Sequence, residues 1–195
     1  MGDVNDGYGR KVGMALKAVK QLHADASRLL SDCDGTIGKG KSVATLSKNA
    51  TNGISYSLGR PWMAEGAYRC YAAEPDARPG LVDSICLAFF GEVTETDEPL
   101  LIVGQVYYRL DAGQKLQEVC DGWDVWYLFS GNCPERTHSE VLAAGPLTWQ
   151  DGGKSFDGFR LIAVPLYSIN SMDDVVALMD RVRATELPPN RKAAS

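Results

Sequence analysis

The chain has 195 residues, of which 45% are hydrophobic and 23% are charged, and these proportions are ordinary for a globular protein with one well-buried core. Its net charge of −5 excludes a general electrostatic attraction to nucleic acid or to anionic lipid. No apolar run reaches the length of a membrane helix or resembles a secretory signal, so we expect a cytoplasmic protein that does not bind membranes.

The five cysteines indicate no metal chemistry. Their number is odd, and no two of them form a C-x-x-C pair, whereas a metal site needs closely spaced thiolates or imidazoles. We therefore predict no metal site and a reducing compartment. The cysteines are Cys33, Cys70, Cys86, Cys120 and Cys133.

The first predicted element is a long amphipathic helix over residues 10–33, preceded by a flexible segment over residues 1–9. Gly35 suits the left-handed position after a helix, so Asp34-Gly35 is predicted to stop it. Packing on a sheet is the more typical use of such a helix, and a seam with a partner helix is the alternative. Its apolar positions recur at spacings of four and three residues: Val12, Leu16, Val19, His23, Ala26, Leu30 and Cys33.

A shorter helix is predicted over residues 42–58, and Pro61 follows it, because the residue before a proline is pushed away from helical geometry. Its apolar face would consist of Val43, Leu46, Ala50, Ile54 and Leu58.

Five strands are then predicted from segments rich in aromatic and branched side chains. The first three connections are too short for a crossover helix, so neighbouring strands are expected to be antiparallel. The middle strands are apolar on both faces, which predicts cover on both sides by helices or by a second copy of the protein. The segments are residues 68–73, 83–93, 100–110, 123–130 and 159–166.

The end of the chain completes the predicted fold. A connection over residues 131–158 is expected to contain a short helix or an edge strand near 141–149. A final helix begins at Ser171, which forms a capping box with Asp174, and ends near Thr185. The predicted fold class is α+β, with a long N-terminal helix and a C-terminal helix packed on a mainly antiparallel sheet of about five strands. Residues 10–187 form one domain, and residues 188–195 form a flexible tail.

Residues 35–42 match the phosphate-binding pattern G-x-x-x-x-G-K-[ST]. In a functional loop, backbone amides around Gly40 would hold nucleotide phosphates, Lys41 would neutralise them and Ser42 would bind Mg²⁺. Such a loop follows a buried strand, and a second strand ends in an acidic residue. Here the preceding residues have helical periodicity, and the later apolar strands do not end in Asp or Glu. We therefore interpret the match as a helix end followed by a polar loop without a cofactor, and Mg-nucleotide binding is the alternative.

A second motif overlaps the first. The segment Asp32-Cys33-Asp34-Gly35-Thr36 resembles the D-x-D-G-T motif of haloacid-dehalogenase phosphatases. The resemblance implies that Asp32 attacks phosphate and that Asp34 acts as acid and base, at the end of a buried parallel strand. The helical pattern before Asp32 argues against that context.

Aromatic and arginine residues suggest a possible partner or ligand surface. Trp62 precedes the first strand, and Trp123 and Trp126 fall in the fourth predicted strand. Such residues usually fill a core, but an exposed one would mark a binding surface. Arg69 and Arg109 alternate with apolar neighbours on predicted strands, where they would suit a carboxylate or phosphate if they faced a pocket.

The sequence shows no converging acid, base, nucleophile or metal set. We therefore predict a non-catalytic binding or regulatory protein that acts through protein–protein contacts or self-association, using the first helix or the aromatic strand. The alternative is a nucleotide-binding protein or phosphatase-like enzyme that uses residues 35–42. A nucleic-acid-binding role for the basic residues 39–60 is disfavoured by the acidic balance of the chain.

Overall fold

The computed structural model describes eight ranges of the chain: residues 3–39, 51–52, 66–72, 80–89, 98–120, 124–132, 141–145 and 156–186. The helices in them are α1 (Asp3–Thr36), α2 (Leu116–Val119), α3 (Asp124–Asn132) and α4 (Met172–Ala184). The strands are β1 (Thr51–Asn52), β2 (Gly66–Ala72), β3 (Gly80–Ala88), β4 (Leu100–Tyr108), β5 (Val141–Gly145) and β6 (Phe156–Pro165).

These strands form one sheet in the order β1-β2-β3-β4-β6-β5, and every pairing in it is antiparallel. Four long strands, β2, β3, β4 and β6, carry the sheet, and the short β1 and β5 lie at its two edges. The predicted α+β class and the antiparallel pairing are confirmed, with four long strands where about five were expected. The edge-strand alternative near residues 141–149 is also correct, as β5.

One predicted element is wrong, and a second is contradicted in the small part of it that the structure describes. The predicted strand over residues 123–130 is instead helix α3, in which Trp126 is wholly buried while the neighbouring Tyr127 is 42% exposed. A short apolar run fits a strand and a buried helix equally well, and the aromatic content of this run favours the strand. The helix predicted over residues 42–58 falls largely outside the described residues. Where it is described, at Thr51–Asn52, the chain is extended and pairs with β2.

Helices of the same chain cover both faces of the sheet, so the cover predicted from the apolar strands does not require a second copy. Side chains alternate between the faces along each strand. On β3, for example, Val82 and Cys86 pack towards α2 and α3, whereas Ile85 and Leu87 pack towards α1 and α4. The result is three layers, with the sheet in the middle.

Helix α4 begins as the sequence predicts. The backbone amide of Ser171 donates to Asp174 Oδ2 at 2.9 Å, and the amide of Asp174 donates to the Ser171 hydroxyl. This capping box satisfies two amides that have no partner inside the helix. The backbone amide of Asn170 also donates to Asp174 Oδ2, and the Asn170 and Ser171 amides together lower the pKa of the Asp174 carboxyl.

Helix α1 is longer than predicted at both ends. It begins at Asp3 rather than near residue 10, and it continues past Gly35 to Thr36. The amides of Ile37 and Gly38 then both donate to the carbonyl of Cys33, at 2.9 and 3.1 Å, and these bonds close the last turn. In the described part of the chain, no helix is long and apolar enough to span a membrane.

Candidate interaction surface

Asp34 anchors the end of α1 to strand β2. Its Oδ1 accepts a hydrogen bond from the Tyr71 hydroxyl at 2.8 Å and lies 3.2 Å from Arg69 Nε. The Arg69 side chain is 19% exposed, and its guanidinium also donates to the carbonyl of Tyr68. Arg69, a predicted ligand-binding residue, is thus engaged in holding the helix against the sheet.

The reactive groups beside this anchor are held in their neutral forms. Burial, and then the negative charges of Asp34 and Asp32, raise the pKa of the Cys33 thiol to about 12. Burial and the hydrogen bond to Asp34 raise the pKa of the Tyr71 phenol. A thiol needs its thiolate form to be a nucleophile, so Cys33 is inert at neutral pH.

The two phosphate-related motifs lie at the end of α1. Residues Asp32 to Thr36 are helical and are not the end of a strand, and the helix runs past the predicted stop at Asp34-Gly35. Asp34 is committed to Arg69 and Tyr71. Gly40, Lys41 and Ser42 lie outside the described residues, so their arrangement stays a prediction.

Of the remaining predicted surface residues, the structure describes Arg109 and Trp126, and these two do not come together. Arg109 is exposed at the margin of the sheet, where its Nε donates to Asp157 Oδ1 at 2.7 Å. Trp126 fills the core beneath α3, where its ring packs against Phe129, and so it contributes to no exposed surface. Trp62 and Trp123 lie outside the described residues.

A buried polar row crosses the sheet, and the sequence analysis missed it. Asp83, Gln105 and Arg160 are register partners on the adjacent strands β3, β4 and β6. Gln105 Nε2 donates to Asp83 Oδ1 at 2.5 Å, and Arg160 Nε donates to Gln105 Oε1 at 2.7 Å. Each residue is a strongly polar side chain in a largely apolar strand, and that placement is the signal that could have marked the three residues as candidates, though not their pairing.

The polar row holds the C-terminal end of α4. Arg183 pairs with Asp83 Oδ2 at 2.7 Å, and Asp83 is only 3% exposed. Arg160 donates to the carbonyl of Thr185 just after the helix and to the Tyr107 hydroxyl. These hydrogen bonds give the polar atoms of the row partners within the fold. The row therefore holds α4 against the sheet and does not form an open binding site.

The N-terminal half of α1 extends beyond the packed body. Residues 8–25 contain no buried side chain, and Ala26 is the first buried residue after them. We call residues 8–21 the α1 overhang. Tyr8 is 71% exposed, and Val12 and Leu16, which belong to the same apolar stripe as the buried residues, are also exposed. An apolar stripe that continues from a buried one into solvent is a feature of interaction surfaces.

The overhang is also strongly basic. Residues 8–24 carry Arg10, Lys11, Lys17 and Lys20 and no acidic residue, although the whole chain has a net charge of −5. None of these four cations forms an ion pair with another residue of the described ranges. The overhang therefore presents uncompensated positive charge beside its apolar stripe.

A groove of about 370 Å³ lies between the packed half of α1 and the segment that leads into α4. Half-buried apolar side chains line it, among them Leu22, Leu29 and Met172. Two exposed carboxylates, Asp25 and Asp32, border the same groove. Arg28 lies between them in the same lining, so the groove combines apolar surface with two carboxylates and one cation.

Metal ligands do not cluster in the part of the chain that the structure describes: no three His, Cys, Asp or Glu side chains are grouped closely enough to hold an ion.

No protein-family model matches the chain, and neither the curated proteins nor the solved structures include one that is similar to it.

Proposed function

We propose that this protein is a non-catalytic binding or regulatory domain that acts through protein–protein contacts of the α1 overhang. The observation that carries the proposal is the exposure of Tyr8, Val12 and Leu16 on a helix whose other half is packed on the sheet. A helical segment as short as the α1 overhang is marginally stable in water by itself, because helices in proteins gain most of their stability from packing of an apolar face. A partner that covers the overhang would supply that packing.

The polar groups near the sheet support a non-catalytic role. Asp34, Asp83 and Asp124 each accept hydrogen bonds from side chains of their own chain. Burial raises the pKa of the Tyr108 phenol, which donates to Asp124, and the Cys33 thiol stays protonated at neutral pH. Groups that are used in packing contacts in this way are poorly placed to act on a substrate.

Site-specific photo-cross-linking in the source cells tests the proposal. A photo-reactive side chain at Leu16 is expected to capture a defined protein, either another protein or a second copy, whereas the same group at the exposed Ala112 is not. The Val12→Glu substitution should reduce the Leu16 product several-fold, because it places a charge in the apolar stripe. Equal products from both positions, or none from Leu16, would contradict the proposal.

The alternative is a nucleotide-binding protein or phosphatase-like enzyme that uses Gly40, Lys41 and Ser42, and it is favoured by the match of residues 35–42 to the phosphate-binding pattern. The helical segment that precedes these residues is unlike the strand that such a loop follows. Calorimetry with Mg-ATP and Mg-GTP decides between the two functions. Saturable binding that the Lys41→Ala substitution abolishes would establish the alternative.

A further inference from the structure

The side of α1 that faces away from the sheet carries a regular series of exposed residues over about six turns. Their spacings of four and three residues keep them on one face, and all seven are exposed. We call this series the outward face; it consists of Arg10, Met14, Lys17, Gln21, Asp25, Arg28 and Asp32.

The charges on the outward face are divided between its two halves. The overhang contributes Arg10 and Lys17, and the packed half contributes Asp25 and Asp32. The two cations and the two carboxylates have the same separation along the chain, which corresponds to about two turns of helix. Gln21 lies at the midpoint, with Lys17 and Asp25 at equal distances on either side of it.

The geometry points to a second copy of this chain as the partner of the outward face, in an antiparallel α1–α1 dimer with its two-fold axis at Gln21. In this arrangement Lys17 faces Asp25 of the second copy, and Arg10 faces Asp32 of the second copy. Two-fold symmetry repeats each pair, so one register forms four attractive contacts. The inference rests on the proposed function in using α1 as the contact element, but it uses the outward face rather than the apolar stripe.

The dimer also accounts for the overhang and the groove together. Residues 10–20 of one copy would lie along residues 22–32 of the other, where the groove is bordered by Asp25 and Asp32. The exposed Met14 would face Arg28 of the second copy, whose aliphatic stem can cover the thioether. Arg28, the one cation in the acidic half, thus faces no cation in this register.

A hydrogen bond within one chain orients a carboxylate in the acidic half of the outward face. Gln21 Nε2 donates to Asp25 Oδ1 at 2.9 Å, which orients the carboxylate along the outward face. The second oxygen of Asp25, Oδ2, has no partner among the described residues and is available to a lysine. The proposed contact depends on charged pairs on both sides of Gln21, so it should weaken as salt is raised, since salt screens exposed charges over about 8 Å at physiological ionic strength.

Sedimentation velocity over a range of concentrations tests the inference with a charge exchange. Lys17→Glu and Asp25→Lys should each raise the dissociation constant of the dimer by about tenfold or more, because each turns two attractive contacts into repulsive ones. The double variant Lys17→Glu/Asp25→Lys should dimerise again. An equimolar mixture of the two single variants should form a heterodimer, in which every contact is once more attractive.

Lys20→Glu is the matched control, since it makes the same change in charge on a side of the helix away from the outward face, and it should leave dimerisation unchanged. Circular dichroism and the unfolding midpoint check that each variant is folded. A folded wild-type protein that stays monomeric at every concentration overturns the inference, as does a dimer that both single variants leave intact. If Leu16 still captures another protein in either case, the proposed function stands and only the dimer fails.

Discussion

Individual buried charges in this protein are matched by donors from distant parts of the chain. Asp83 on β3 accepts hydrogen bonds from Gln105 on β4 and from Arg183 on α4. Asp124, which is 2% exposed, accepts a hydrogen bond from the Tyr108 hydroxyl at 2.5 Å. Leaving such a carboxylate without its donor costs more than the bond itself contributes, because the buried charge is then unsatisfied.

We expect Arg183→Gln to destabilise the protein by about 1–3 kcal/mol, because it removes a cation that is paired with the buried Asp83 carboxylate. Urea unfolding measures the effect. Asp180→Asn removes the other, exposed partner of Arg183 and should change the stability by less than about 0.5 kcal/mol. Similar losses in both variants would show that the Arg183–Asp83 contact has no special weight.

At the scale of single elements, α1 and α4 are stabilised in different ways. Helix α4 has a capping box at one end and the polar row at the other, and it buries Val175, Leu178, Met179 and Val182. From residue 8 onward, the buried side chains of α1 all lie in its second half, so residues 8–21 depend on local helix formation or on a partner. The capping box makes the start of α4 a local feature that can be tested alone.

Ser171→Ala should lower the free energy of unfolding by about 1 kcal/mol, because the Asp174 amide loses its acceptor. Thermal or urea unfolding measures this loss. Ser171→Asp keeps a capping acceptor and should retain most of the stability. A loss of equal size in the aspartate variant would mean that the serine contributes through something other than capping.

At the scale of the whole molecule, stability depends on both helical layers being present. The layer of α2 and α3 covers one face of the sheet with fully buried side chains such as Leu116 and Trp126. Close packing of this layer extends to Gly104 on β4, where an added Cβ would come within 3.2 Å of the Val125 side chain. The two layers enclose separate apolar clusters on opposite faces of one sheet.

Trp126→Ala should therefore cost about 3–5 kcal/mol, since it leaves a large cavity beneath α3. Tyr127→Ala, at the neighbouring exposed position, should cost less than about 1 kcal/mol. Chemical denaturation of the two variants gives the comparison. A Trp126 variant as stable as the Tyr127 variant would contradict the buried position of α3.

Local signals in the sequence determined much of the fold. The periodicity of α1, the capping box of α4 and the short turns between successive strands each depend on residues close together in the chain, and the structure confirms the elements that they predict. The same signals were insufficient at α3, where a run of aromatic and branched residues fits two conformations. The choice there depends on which surface the run has to cover.

Only the tertiary structure decided which polar residues meet and which apolar residues remain exposed. Asp83, Gln105, Arg160 and Arg183 belong to four different elements, so their spacing in the sequence gives no indication of the row that they form. The apolar residues of α1 have the same spacing along the whole stripe, yet those in one half are packed on the sheet and those in the other half are exposed. Amphipathic periodicity specifies a face of a helix, whereas burial of that face depends on how far the neighbouring sheet extends beneath it.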